Sequence, residues 1–423
     1  MAVKMNIGYD TIKDSVELDE ADFYQLATKS PFFIDKTELV NHFVNDAAIV
    51  SLITRPAKFG KTVNLSMLHH FLRFKLGESL KVNVFENLNI GKHKELCKTH
   101  QGKYAVMRFD FGGVTGTSVR TIIDGVKIAI LDELYYHKRI ITEHFPRKLP
   151  LLEKKMEVTQ DANANLFYYS YAVEGLMEIY QALGFPRVVL LDEYDKPCQQ
   201  GYSIGAFDKI SIQIESFFET VFKSQYLSRA VIVGTTFLAR ESIFASWNNM
   251  IVFSVLRENI YSSSFGFTPE EVNTLVQKSG TNIKMKEIDE WYKGYHFGKH
   301  VVLSPWSIVN CLQSKAAGLY WTKVGEGTIF IEELIRSAGK VIKPQFDALL
   351  KNKSITKRVT QGLAYPTLKT TDESFWTFLV HSGYLDAKLV GKDIGNEEYE
   401  LRVPNKEIRE LLQGLVDTIF VPK

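Results

Sequence analysis

The sequence predicts an α/β chain built on a mainly parallel sheet, with a more helical region following it. Short apolar runs recur at Ile49–Thr54, Tyr104–Asp110, Val188–Leu191, Ala230–Gly234 and Ile251–Leu256, several ending in a small or acidic residue. The stretches between them carry helical spacing. Strands separated by helices call for right-handed crossovers, and hence parallel neighbours. At 423 residues the chain is long enough for more than one domain.

The elements follow in order. Ile49–Thr54 stops at Arg55-Pro56, and a helix is expected from Thr62 to Leu76, with Val63, Met67, Phe71 and Phe74 on one face. Tyr104–Asp110 alternates like a strand. Gly112 to Leu183 is too long for one crossover and should hold extra helices. Val188–Leu191 is a buried strand ending in acids. Ile210–Leu227 reads as an amphipathic helix with Ile214, Phe218, Val221 and Phe222 inward. After about Arg257 the texture becomes more helical. Thr268-Pro269-Glu270-Glu271 is a helix start, with an N-cap Thr, Pro at the first position and early acids. A boundary there gives domains at 1–257 and 258–423. Trp291 through Leu303 reads as a β-hairpin with glycine turns, and Pro305 opens a helix to Leu312. The aromatic residues here read as core rather than as a stacking platform.

Composition narrows the function classes. Hydrophobic residues are 45% and charged residues 24%, ordinary for a globular chain. The net charge of +2 gives nucleic acid little support as a partner and calls for no anionic membrane. Cys97, Cys198 and Cys311 are far apart and form no CxxC pair, against a zinc site or disulfide framework and in keeping with a reducing compartment. There is no internal repeat, no apolar run of membrane-spanning length and no secretory signal at Met1–Glu20. An intracellular protein is expected, cytoplasmic or nuclear. The adjacent His69 and His70 point to different sides of their helix and read as structural.

The sharpest chemical signal is Arg55-Pro56-Ala57-Lys58-Phe59-Gly60-Lys61-Thr62, between a strand and a helix. A phosphate loop needs a tight turn, backbone N–H groups at a helix N-terminus and a Lys reaching the β/γ-phosphates. Gly60 allows the turn, Lys61 supplies the charge and the Thr62 hydroxyl suits Mg²⁺. Position 55, where the full phosphate-loop pattern has Gly, is Arg. A second signal is Val188-Val189-Leu190-Leu191-Asp192-Glu193. There Asp192 would orient Mg²⁺ and Glu193 would polarise the attacking water. Both motifs close a strand, where ligands bind in open α/β sheets. Thr235, after Ala230–Gly234, is a candidate γ-phosphate sensor. Arg240 is a candidate phosphate donor. For each, the plainer reading is a strand-end or surface residue.

These residues resemble the AAA-ATPase-like family of P-loop proteins, whose ATPase region is often followed by a PD-(D/E)xK nuclease domain. The resemblance runs through Phe33-Ile34-Asp35-Lys36-Thr37-Glu38, Arg55–Thr62 and Leu191-Asp192-Glu193-Tyr194-Asp195-Lys196-Pro197. It continues in Ser246-Trp247-Asn248-Asn249, Phe265–Thr268, Trp291–Tyr295, Ser304-Pro305-Trp306-Ser307, Ser382–Leu385 and Val403–Glu407, over roughly residues 20–410. It implies an ASCE-type ATPase core, a helical lid and a small α+β C-terminal domain of winged-helix-like character. It also accounts for Arg55, because the family's loop begins Arg-Pro. Ala57 departs from the family's paired basic residues, and Ser304 from its Asn-Pro-Trp-Ser.

The resemblance implies ATP and Mg²⁺ as ligands, with Arg55, Lys58, Phe59, Gly60, Lys61 and Thr62 at the phosphates and the adenine near Phe33 and Asp35. Thr62 and Asp192 would hold the metal; Glu193, Lys61, Thr235 and Arg240 would serve hydrolysis. An arginine finger is expected from a second copy or another protein. The alternatives are a nucleotide-binding interaction module with little turnover and a nucleic-acid-associated ATPase of a nuclease or defence type. The chain ends about where a nuclease domain would begin. Asp386-Ala387-Lys388 has acid–x–Lys spacing but reads as a surface turn, so nuclease activity is not expected.

Overall fold

The computed structural model describes residues 22–76, 83–161, 163–238, 249–321, 326–393 and 396–420. Its central strands are β1 (Val50–Thr54), β2 (Ala105–Asp110), β3 (Arg187–Asp192), β4 (Arg229–Gly234) and β5 (Met250–Phe253). They form one parallel five-stranded sheet in the order β2-β3-β4-β1-β5. β1, β3 and β4 are rich in Val, Ile and Leu and buried along almost their whole length. Continuous apolar runs of this kind suit strands covered on both faces. β5 is an edge strand and partly exposed.

The register decides what meets at the sheet's C-terminal edge. β4 lies between the strands of the two phosphate-site motifs, with Thr54 beside Gly234. Asp110, closing β2, lies beside Asp192, closing β3. Residues from four separate parts of the chain therefore share one rim.

The helix after β1 spans Lys61–Leu72, ending short of the expected Leu76. The Phe74 amide instead donates to the Tyr104 carbonyl at 2.9 Å. Its ring packs on Phe185 and Tyr180, so its apolar character serves a tertiary contact rather than the helix face. The long crossover carries the extra helices expected of it: Val119–His144, Leu149–Met156 and Leu166–Ala182. Phe207–Phe222 buries Ile214, Phe218, Val221 and Phe222 on its inner face.

The second half is helical with small antiparallel sheets. Helices Pro269–Ser279, Met285–Tyr292 and Pro305–Ser314 share a core of Phe267, Val272, Leu275, Ile288, Ile308 and Leu312. Thr268 and Glu271 close the first of these helices with a capping box. Beside them lies a hairpin of β6 (Tyr295–Phe297) and β7 (His300–Val302). Trp291 and Tyr292, expected at the start of that hairpin, end a helix instead. The aromatic residues Tyr292, Tyr295 and Phe297 are buried as core.

The last strands are β8 (Ile355–Arg358), β9 (Asp386–Asp393) and β10 (Asn396–Arg402), in the order β8-β10-β9. Helices Asp372–His381 and Lys406–Phe420 accompany them. Asp386-Ala387-Lys388 is not a surface turn, because it opens β9 with Asp386 buried. The Asp386 carboxylate accepts from the His296 amide at 2.8 Å and from Arg402 Nε at 3.2 Å. Apolar side chains of this region, among them Trp376, Leu379 and Leu412, join the same core as the parallel sheet.

Candidate functional site

The loop Arg55–Thr62 links β1 to the helix Lys61–Leu72. Gly60 caps that helix in the left-handed region at φ 84°. A Cβ there would meet nothing within 4 Å, so the glycine serves the backbone angle rather than a lack of space. No side chain caps the helix, and no acid stands in its first turn. Its first N–H groups thus present a positive helix end without a built-in acceptor, which suits an anion.

Lys61 is 4% exposed and turned inward under the loop. Its ammonium lies 3.2 Å from the Arg55 carbonyl and 3.3 Å from that of Pro56. It also donates to Thr235 Oγ1 at 3.4 Å and pairs with a Glu193 carboxylate oxygen at 3.3 Å. Thr235 follows β4, and its placement beside Lys61 results from β4 lying next to β1.

The acids follow β3. Asp192 is fully buried; its Oδ1 accepts the Glu193 amide at 2.9 Å, while its Oδ2 has no hydrogen-bond partner. Burial pushes its carboxyl up to about 7, helped by the negative charges of Glu193 and Asp110 and opposed by the Thr62 hydroxyl and Lys61. Glu193 has φ 47°, in the left-handed region that non-glycine residues rarely occupy. That strain turns its side chain toward Lys61 and leaves it partly exposed, a pattern found where backbone geometry serves a site.

The structure therefore brings together Lys61, Thr62, Asp192, Glu193 and Thr235. A family profile described as "Predicted AAA-ATPase" matches residues 20–244. The chain belongs to this AAA-ATPase-like family. No curated protein matches it. Among solved structures it is similar to the ORC2 protein of Aeropyrum pernix in ADPNP–ADP complexes, at 11% identity and TM-score 0.33, covering 97% of each chain. The ADP form of ORC2 gives 11% identity and TM-score 0.32 over 92% of this chain and 93% of that one. The Aeropyrum pernix ORC1 protein in complex with DNA gives 9% and 0.26 over 97% and 94%.

The other expected residues of this AAA-ATPase-like chain make the following contacts. Arg55 is fully buried. Its guanidinium donates to the Thr54 and Phe253 carbonyls, each at 2.8 Å, and lies against the Phe265 and Phe297 rings. It ties β1 to β5, so its side chain is removed from the expected phosphate set, and burial lowers its pKa to about 9. The Phe59 ring is buried among Tyr295, Phe297 and Trp321, and its carbonyl accepts the Gly266 amide at 3.0 Å. It anchors the loop to the second half, leaving its amide for any ligand contact. Lys58 reaches over the Trp306 ring, with 4.3 Å to the centroid.

Phe33 packs edge-on to Phe23. The Asp35 carboxylate accepts from the Thr37 amide at 2.9 Å, the Thr37 hydroxyl at 2.6 Å and the Asn89 amide at 2.6 Å. Those bonds fix the turn before the helix Glu38–Asn45. Arg240 lies outside the described residues.

Two acids were missed. Asp110 closes β2 beside Asp192, and its own signal is the same apolar run ending in an acid. Asp195 stands within the Asp192–Pro197 run, fully buried and bonded to the backbone after β4. Local sequence offers no sign of that contact.

Proposed function

We propose that the chain is a Mg²⁺-dependent ATPase, with the phosphates over the first turn of the helix Lys61–Leu72. The carrying observation is the meeting of Lys61, Glu193, Thr235 and the unpartnered Asp192 Oδ2 on one strand-end rim. A buried carboxylate oxygen without a partner costs about 1–3 kcal/mol, a penalty that a bound cation or its water would relieve. Thr62 and Asp192 fit Mg²⁺ as hard oxygen donors. The metal would neutralise charge on the β- and γ-phosphates.

The residues divide the work. Lys61 balances phosphate charge once it leaves the Arg55 and Pro56 carbonyls. Glu193, released from Lys61, accepts a proton from the attacking water. The Thr235 hydroxyl faces the γ-phosphate. We place the adenine near Phe33-Ile34-Asp35, on the strength of chain order and the family resemblance. The division at 257/258 separates the nucleotide-binding half from the half that moves with it.

Turnover by the isolated chain should be slow. Glu193 is engaged by Lys61, and Arg55 is committed to β5. A finger from a second copy or another protein would add ~10³–10⁵ in rate. Unpaired Cys97, Cys198 and Cys311 suit an intracellular protein. No helix among the described residues is long and apolar enough to cross a membrane. The test is ATP turnover against protein concentration. A rate per molecule that rises with concentration supports completion in trans, and a fast rate in dilute solution removes the need for it.

A further inference from the structure

The segment Thr235–Leu238 leaves the sheet between the nucleotide site and the C-terminal α+β region. Two consecutive residues after Glu193 hold it. Asp195, fully buried, accepts through Oδ2 from the Thr236 amide at 2.9 Å, the Thr236 hydroxyl at 2.8 Å and the Thr235 amide at 3.2 Å. Gln199 Nε2 supplies a further donor to that oxygen at 3.0 Å. The Tyr194 hydroxyl donates to the Thr236 carbonyl at 2.7 Å and accepts the Leu238 amide at 3.1 Å. Gly234 lets both side chains approach, because a Cβ there would lie 2.6 Å from Asp195 Oδ1 and from the Tyr194 ring.

The far side of the same segment meets the C-terminal region. The Leu363 amide donates to the Phe237 carbonyl, and Leu238 and Leu363 form a parallel bridge. The Thr236 hydroxyl lies 3.4 Å from the hydroxyl of the fully buried Tyr365. The Tyr365 ring stacks on Phe207 and meets Tyr202 edge-on. Gln361 Nε2 reaches the Val252 carbonyl of β5 at 3.0 Å.

We infer that Asp195 and Tyr194 are positioning residues that aim the Thr235 hydroxyl at the nucleotide site, with Tyr365 making that aim depend on the C-terminal region. The physical reason is that Thr235–Phe237, directly after β4, are in neither strand nor helix. Backbone groups that a strand or helix would satisfy are satisfied here by two side chains. The Asp195 Oδ2 gathers four donors at once, and the charge of a carboxylate makes such bonds about twice as strong as those to the neutral oxygen that Asn would put in its place. A shift of Tyr365 moves the partner of Thr236, and with it the residue beside Lys61. The inference rests on the proposed role of Thr235 in hydrolysis.

The experiment uses the full chain with Asp195→Asn, Tyr194→Phe, Tyr365→Phe and Thr235→Ala, each alone, and with Asp195→Asn and Thr235→Ala combined. Asp195→Asn should lower kcat on the order of tenfold to a hundredfold with KM nearly unchanged. Thr235→Ala should add little in that background, because both changes act through one hydroxyl. Full additivity, or a KM effect alone, overturns the inference. Hydrogen exchange at the amides of Thr235–Leu238 gives a readout independent of turnover. Asp195→Asn and Tyr365→Phe should speed it there while the amides of β3 keep their protection. Unchanged exchange overturns the clamp even if ATP is hydrolysed; faster exchange in a chain with no ATPase activity upholds the clamp and counts against the proposed function alone. Tyr194→Phe keeps the same test open should Asp195→Asn fail to fold.

Discussion

Asp192, at the end of the parallel sheet, and Glu407, in the C-terminal region, are both carboxylates with almost no exposed surface, 0% and 1%. Their surroundings differ in kind. Glu407 Oε1 accepts the Tyr320 amide at 2.7 Å and the Trp321 amide at 2.9 Å, and its Oε2 accepts the Ser307 hydroxyl at 2.8 Å. Asp192 has one satisfied oxygen and one without a partner, beside two more acids. Glu407 does its work within the chain, joining the helix Lys406–Phe420 to the segment after the helix Pro305–Ser314. Asp192 keeps one oxygen that no donor among the described residues meets. Burial by itself does not separate these two carboxylates; the unmet oxygen of Asp192 does.

The largest effect expected from breaking this contrast is on turnover. Glu193→Gln keeps shape but loses the proton acceptor, so kcat should fall ~10²–10⁴-fold while ATP remains bound. Wild-type turnover in that variant would remove Glu193 from the mechanism. Next comes stability. Glu407→Ala leaves two buried amides without an acceptor and should cost about 2–3 kcal/mol in urea denaturation. Asp192→Asn should leave stability unchanged or raised, because burial and the neighbouring Glu193 and Asp110 disfavour its charge, yet weaken Mg²⁺-dependent nucleotide binding. If the two variants lose equal stability, the contrast between the sites is lost.

Smaller effects sharpen the comparison. Lys61→Ala removes the ammonium at the phosphate loop and should weaken ATP at least about tenfold, ~1.4 kcal/mol, by calorimetric titration. Equal binding would place the nucleotide elsewhere. The smallest effect lies with His381, buried in the C-terminal region with its Nε2 against the Thr360 carbonyl at 2.9 Å. Burial holds its imidazole below the ordinary range. The unfolded chain takes up a proton near pH ~6.5 that the folded His381 refuses. Its contribution is therefore whole above that pH and falls by up to ~1.4 kcal/mol per unit below it. His381→Gln should flatten the acid side of the stability profile, and an unchanged slope would assign that loss to other groups.

The central strands were legible because β1, β3 and β4 are continuous apolar runs, a pattern that belongs to buried parallel strands. The meeting of the candidate residues was legible for a related reason. Gly60-Lys61-Thr62 and Asp192-Glu193 close such runs, and strand ends meet in space whenever the strands are parallel neighbours. Arg55 was misplaced because its position in the loop suggested a phosphate, whereas its partners Phe253, Phe265 and Phe297 lie some two hundred residues away in sequence. Trp291 and Tyr292 were misassigned because glycine turns just after them resemble a hairpin that starts earlier.

The sequence by itself determined what is written within a few residues of each position. That covers the apolar runs, the capping box at Thr268, the left-handed turn that Gly60 allows, and the order of phosphate loop and acids. These depend on backbone sterics and on spacing along one element. Only the tertiary structure decided that Asp110 stands beside Asp192, that Thr235 reaches Lys61, that Asp195 grips the segment after β4, and that Phe59 is packed among aromatic residues of the second half. Each joins residues whose proximity is set by strand order and packing, and local patterns of side-chain polarity carry no record of which distant partner will arrive.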